Sequence, residues 1–210
     1  PALFGLGLQR GAIFELLDRA WTEARRLHCG REIVHVDHER GVLRDDHGDE
    51  HGPFDLVVVA DGSASKLRAE IGEIVFDRPY PWGAQWCLVP AGDWPWPDEL
   101  RQRYRHARRM VGMLPVGTRP GDPIPRLSFF WSLPAAALPD AGRDEACWRA
   151  EVAEIWPDAV QRLQTTAVPE GLAQARYRDT VVRRWYRGRA VLVGDAAHSM
   201  SPQLGQGVNM

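Results

Sequence analysis

The chain has 210 residues, 44% apolar and 26% charged, with a formal net charge of −2 at pH 7, the proportions of one ordinary globular domain or one and a half. No run approaches the roughly 18 apolar residues that cross a bilayer, and the residues after Pro1 lack the pattern of a secretory signal, so no membrane span is expected. Acids outnumber bases, 28 to 26, with Lys66 the single lysine and no basic stripe, which argues against a nucleic-acid partner.

Apolar residues recur at helical spacing over residues 13–24, with Glu15, Asp18, Arg19 and Glu23 opposite them, predicting an amphipathic helix. Residues 32–37 then alternate, Glu39-Arg40-Gly41 turns, and Val42-Leu43 returns, which reads as a hairpin. A polar loop over 45–53 leads to the β-branched run 54–60, predicted as a parallel strand covered on both faces. It ends at Asp61-Gly62, after which Ser65 is placed to cap a short helix through Ile71.

The texture changes between Glu73 and Ala173, where proline and tryptophan concentrate. Residues 86–89, 110–116 and 127–133 read as strands, the last two flanking a turn-rich stretch over 117–125, and 144–155 reads as a helix. Residues 100–109 are readable either as helix, from propensity, or as strand, from position. Residues 177–185 form another predicted strand, and 190–193 a second buried strand ending at Gly194-Asp195. The cysteines Cys29, Cys87 and Cys147 are odd in number and far apart, which fits a reducing, cytoplasmic setting rather than a disulfide framework or a zinc pair.

Two buried strands thus end in an Asp/Gly pair, at the edge where open α/β sheets bind ligands. Aspartate there can accept hydrogen bonds from sugar or polyol hydroxyls, and glycine lets a ligand approach the main chain. The same residues also suit plain turns. The imidazoles His35, His38, His47 and His51 near Cys29 do not form a ligand set, because His35 and His38 face opposite ways on a strand. Asp195, His198 and Ser199 are the residue types of a hydrolytic triad, but no GxSxG elbow accompanies them. Trp82, Trp86 and Trp131 suit either an aromatic substrate pocket or core packing.

Two stretches carry more information. Asp61-Gly62-Ser63-Ala64-Ser65-Lys66-Leu67-Arg68, of the form DGxxSxxR, and the 22 residues from Arg189 through Gly194-Asp195-Ala196-Ala197-His198 to Met210 closely resemble two fingerprints of the class A flavoprotein monooxygenases, the p-hydroxybenzoate hydroxylase-like family. Gln9-Arg10, entering the first helix, is similar to a third. The resemblance implies an α/β fold, α+β overall: an incomplete Rossmann-like FAD-binding domain with an inserted, mostly antiparallel β-sheet substrate domain. The expected division is 1–72 and 177–210 for the FAD-binding part and 73–176 for the substrate part.

By the same resemblance Asp195, with Gly194, binds the ribityl chain of FAD, and Pro202, Gly205, Gln206, Gly207, Val208 and Asn209 line the isoalloxazine ring. Arg10 lies by the pyrophosphate, and Asp61 with Gly62 is associated with the FAD and NAD(P)H pyrophosphates. The implied activity is NAD(P)H-driven hydroxylation of a small, aromatic substrate with O2, through a flavin C4a-hydroperoxide. No side-chain nucleophile or metal is expected. A flavin-dependent oxidoreductase or halogenase of the same fold, or a non-catalytic remnant, are the alternatives. Trp94-Pro95-Trp96-Pro97 is faintly similar to a halogenase signature but lacks its Ile-Pro and reads as a stiff loop. Gly5-Leu6-Gly7-Leu8-Gln9-Arg10-Gly11 imitates a GxGxxG turn with the wrong spacing and without a strand before it. The family's first βαβ unit is therefore expected upstream of Pro1 and its closing helices after Met210, and the chain alone is expected to bind flavin weakly or not at all.

Overall fold

A computed structural model describes residues 6–21, 27–106, 108–163 and 172–202. In chain order the elements are helix α1 (Arg10–Ala20), strands β1 (Ile33–Asp37), β2 (Val42–Asp45), β3 (Glu50–His51) and β4 (Val57–Val59), and helix α2 (Arg68–Ile71). Strands β5 (Glu73–Pro90), β6 (Arg101–Arg105), β7 (Arg109–Arg119) and β8 (Asp122–Pro134) follow, then a single 3-10 turn (Ala135–Ala137) and helices α3 (Glu145–Ala153) and α4 (Pro157–Leu163). Strands β9 (Ala173–Arg184), β10 (Tyr186–Arg187) and β11 (Ala190–Leu192) lead into the short helix α5 (Asp195–His198). Among the described residues three sheets form, ordered β1-β2-β3, β10-β11-β4 and β6-β7-β8-β5-β9. This is the expected mixed α/β class with mostly antiparallel pairing.

By contacts the chain divides into one unit of Pro1–Arg25 with Pro81–Ala175, and another of Arg26–Tyr80 with Arg176–Met210. The sequence grouped the first helix with residues 26–72 instead. What ties it to the inserted segment is local: Gln9, buried, donates from Nε2 to the Gly117 carbonyl at 3.0 Å. A Cβ on Gly7 would stand 2.4 Å from the Pro115 carbonyl oxygen. The glycine that imitates a nucleotide loop thus permits a close approach to β7.

In the inserted unit β8 alternates strictly. Leu127, Phe129, Trp131 and Leu133 are buried, while Ser128, Phe130 and Ser132 lie on the opposite face. The buried row packs with Trp148 and Val152 of α3, Ala159, Val160 and Leu163 of α4, and Trp94 and Trp156. The Trp94-Pro95-Trp96 loop therefore supplies core, its two indoles 5.2 Å apart in an edge-on pair. Trp148 Nε1 donates to Gln85 Oε1 at 2.9 Å and Gln85 Nε2 donates to Ala141 O at 2.8 Å, which satisfies a buried side-chain amide.

Several elements differ from expectation. Residues 101–105 are strand, because pairing with β7, from Arg101 opposite Met113 to Arg105 opposite Arg109, overrides their helical propensity. The turn between β7 and β8 shrinks to Pro120-Gly121, with bulges taking up the rest of the turn-rich stretch. The predicted loop 45–53 contains β3, and α4 lies just after the helix predicted at 144–155. Helix α1 starts three residues early and buries only Ala12, leaving Ile13, Leu16, Leu17 and Trp21 exposed. The strand predicted over 54–60 is confined to β4, with Val57 and Val59 buried but Val58 55% exposed. One face of it packs with Val36, Ile71 and Leu192, so it is covered on one side among the described residues.

Candidate functional site

Strands β4 and β11 pair in parallel, Val57 with Ala190 and Val59 with Leu192, and Val193 N donates to Val59 O at 3.0 Å. Two residues further on, Asp61-Gly62 and Gly194-Asp195 emerge from the same carboxyl edge of neighbouring strands, the position at which such sheets bind ligands. Asp61 and Asp195 are exposed. Gly62 has φ 86° and Gly194 has φ 56° and ψ −140°, the latter a region that side chains scarcely enter. A Cβ at either glycine would meet nothing within 4 Å. Among the described residues the edge is thus an open lip with two exposed carboxylates and bare main chain, which fits a polyhydroxylated ligand such as the ribityl chain of FAD.

The two turns are held together by Arg68, at the start of α2 and only 1% exposed. Its Nε donates to Ala196 O at 2.6 Å, and Nη2 to Asp195 O at 2.9 Å, Ser63 O at 3.0 Å and Gly62 O at 3.3 Å. Nη1 donates to Asp77 Oδ2 at 2.9 Å. Ser65 Oγ accepts from Arg68 N at 3.0 Å, the bond to a backbone amide expected of it from the sequence, although the cap position of α2 falls on Leu67, which makes no side-chain cap bond. A guanidinium is suited to this task because its planar fork presents five donors in fixed directions.

Asp77 of β5 also accepts from Arg178 Nε and, at 3.0 Å, from Thr180 Oγ1. Burial acts to raise its pKa, but Arg178, Thr180 and Arg68 outweigh it and hold the carboxyl below its usual range. The sequence assigned no role to Arg68 beyond membership of the DGxxSxxR pattern, and none to Asp77 or Thr180. A buried arginine needs acceptors, so the motif itself carried a signal. No local pattern marked Asp77, which joins only through the fold.

Of the other sequence-predicted residues, Arg10 begins α1 in the other compact unit and is exposed, and Pro202 is exposed just beyond α5. Gly205, Gln206, Gly207, Val208 and Asn209 lie outside the described residues. Of the tryptophans, Trp131 is fully buried core while Trp86 is 41% exposed, on the strand face opposite the helices, next to Phe130 in register. The Phe130 ring lies across Gly112, where a Cβ would come within 2.0 Å of its Cζ. This leaves an aromatic surface on that face of the sheet.

A second charged cluster is structural. Asp45, buried, accepts from His47 N at 3.0 Å and Asp49 N at 2.9 Å on Oδ1, and contacts Arg31 Nη1 at 2.9 Å and His51 Nε2 at 3.0 Å on Oδ2. Asp46 and His47 stand beside it at distances a metal would allow, but the Asp45 lone pairs are already used in closing the β2–β3 turn.

The sequence profile of the FAD binding domain family matches residues 16–210. The chain is 31% identical over 164 residues to the aurachin C monooxygenase/isomerase of Stigmatella aurantiaca, covering 73% of this chain and 38% of that protein. It is 30% identical over 219 residues to the 2-heptyl-3-hydroxy-4(1H)-quinolone synthase of Pseudomonas aeruginosa, covering 98% and 53%. Among solved structures, Klebsiella pneumoniae HpxO complexed with FAD and uric acid superposes with TM-score 0.68 at 25% identity, covering 92% of this chain and 49% of that one. A variant of 2-methyl-3-hydroxypyridine-5-carboxylic acid oxygenase gives 0.72 at 25%, covering 91% and 51%. The chain therefore spans between 38% and 53% of the length of these relatives.

Proposed function

The chain belongs to the class A FAD-dependent monooxygenases, and from that premise we propose that the full-length protein hydroxylates a small aromatic substrate at the expense of NAD(P)H and O2. The observation that carries this reading is the open lip formed by Asp61-Gly62 and Gly194-Asp195, clamped by Arg68. A flavin held there would supply the redox chemistry of a monooxygenation, in which NAD(P)H is the reductant, one oxygen atom of O2 goes to the substrate and the other leaves as water.

The chain's own residues bind and orient. Asp195 would accept hydrogen bonds from the ribityl hydroxyls, with Gly194 allowing the approach, and Pro202, Gly205, Gln206, Gly207, Val208 and Asn209 would line the ring. Arg10 would serve the pyrophosphate, where a guanidinium suits phosphate oxygens, and Asp61 with Gly62 would be associated with the FAD and NAD(P)H pyrophosphates. The division into an FAD-binding part (1–72 and 177–210) and a substrate part (73–176) follows the same reading. The sheet face bearing Trp86 and Phe130 would offer the substrate ring a flat apolar surface. Names of relatives point to fused or single heteroaromatic rings, namely a quinolone, uric acid and a pyridine.

The test is NAD(P)H oxidation by the full-length protein with a panel of heteroaromatic compounds under 18O2. Product carrying one labelled oxygen atom per NAD(P)H consumed is expected. Cofactor oxidation with no labelled product from any of the panel would point instead to an oxidoreductase that does not insert oxygen.

A further inference from the structure

The hydrogen bonds around Asp77 form a closed ring that begins and ends on the segment following Gly194. From the front of α5, Asp195 O and Ala196 O accept from Arg68, which donates in turn to Asp77 Oδ2. Asp77 Oδ1 accepts from Thr180 Oγ1 at 3.0 Å. Thr180 reaches the back of α5 twice: its N donates to Ser199 O at 2.9 Å, and its Oγ1 lies 2.8 Å from Ser199 Oγ. Ser199 Oγ is also 2.9 Å from Arg178 O, and Arg178 Nε returns to Asp77 Oδ1. Both ends of residues 195–199 are thereby referred to one carboxylate.

Counting protons gives the ring a direction. A carboxylate only accepts, so Thr180 must give its single hydroxyl proton to Asp77. Ser199 then has one proton for two acceptors, Thr180 Oγ1 and Arg178 O. An amide in place of Asp77 would turn an N–H toward either Arg68 or the Arg178 and Thr180 donors, opposing donor to donor. The ring thus depends on the charge at position 77 as well as on its shape. Arg68, Thr180 and Ser199 are 1%, 4% and 3% exposed, so water cannot readily replace bonds lost at those three residues.

We propose that Asp77, acting through Arg68 and Thr180, is a positioning residue for the flavin site, fixing the main chain of residues 195–199 and with it the direction in which Asp195 meets the ribityl chain. This rests on the flavin reading above. Asp77 itself touches no cofactor; it sets the geometry of a segment that does.

The experiment titrates FAD into the full-length apoprotein by fluorescence quenching, for the wild type, Asp77→Asn, Thr180→Val and Thr180→Ser, with Ile71→Val as a core control in the same unit. Thr180→Val keeps the side-chain volume and removes the hydroxyl; Thr180→Ser keeps the hydroxyl. The dissociation constant is expected to rise at least tenfold in Asp77→Asn and Thr180→Val, and to stay within threefold of wild type in Thr180→Ser and Ile71→Val. Should Asp77→Asn fail to fold, Thr180→Val carries the test. Wild-type affinity in Thr180→Val, or an equal loss in Ile71→Val at matched stability, overturns the proposal and leaves the ring a purely structural device. If the wild-type protein takes up no FAD, the flavin reading itself fails and the proposal falls with it.

Discussion

Replacing Arg68 with methionine keeps an unbranched apolar stem and removes every donor. Asp77 Oδ2 and the carbonyls of Ser63, Asp195 and Ala196 lose their shared partner. Removing one member of a buried charge pair costs roughly 3–5 kcal/mol, and each acceptor stranded away from water adds about 1–3 kcal/mol. Two features pull the total down: Asp195 is exposed, so water can reach its turn, and Asp77 retains Arg178 and Thr180. The expected loss is therefore about 3 kcal/mol, at the lower end. With a urea m-value of roughly 2 kcal/mol/M, the midpoint falls by roughly 1.5 M. The matched control is Arg183→Met, which breaks an exposed pair with Glu73 and is expected to cost about 0.5 kcal/mol. Urea unfolding followed by circular dichroism reads both. A loss under about 1 kcal/mol for Arg68→Met, or one no larger than the control's, refutes the clamp.

Other outcomes follow from single positions. Gly194→Ala puts its Cβ in open space, so the whole effect comes from φ 56°, ψ −140°; about 1–3 kcal/mol of stability should disappear, while Gly11→Ala within α1 should gain up to about 1 kcal/mol, both by urea titration. Gly112→Ala drives a methyl into the Phe130 ring; the ring must swing off the sheet at roughly 1–3 kcal/mol, and binding of an aromatic substrate should weaken, as calorimetry would show. Asp45 is held well below the usual carboxylate range by His51, against an opposing effect of burial and with help from the Asp49 and His47 amides and Arg31. A depressed folded-state value makes its contribution complete above about pH 4 and progressively lost below it. An acid titration of stability should fall less steeply in Asp45→Asn than in wild type; parallel curves would show that Asp45 contributes nothing to the acid limb.

What the sequence disclosed depended on how local each signal was. The hairpin around Gly41, the Ser65 hydrogen bond to the first amide of α2 and the strand before Gly194 rest on neighbouring residues, and each is found in place. Strands were legible as runs but their ends were not: β5 spans 18 residues, of which only the apolar-rich end announced itself, since its first half is exposed and proline-containing. Residues 101–105 became strand through a ladder with β7, a partner no window could supply. Trp86 and Trp131 read alike in sequence and separated only when pairing fixed which face each occupies. For the site, the Asp/Gly turns were visible from composition and order. The carboxylate that steadies them was not, because Asp77 meets Arg178 and Thr180 across about a hundred residues.

The most direct test is a crystal structure of the full-length protein grown with FAD. It should show the Asp195 carboxylate within about 2.5–3.0 Å of a ribityl hydroxyl, the usual span for such a bond, with the cofactor seated along the Asp61-Gly62 and Gly194-Asp195 turns. FAD bound away from that edge, or Asp195 turned from it in a structure that holds the cofactor, would contradict the account.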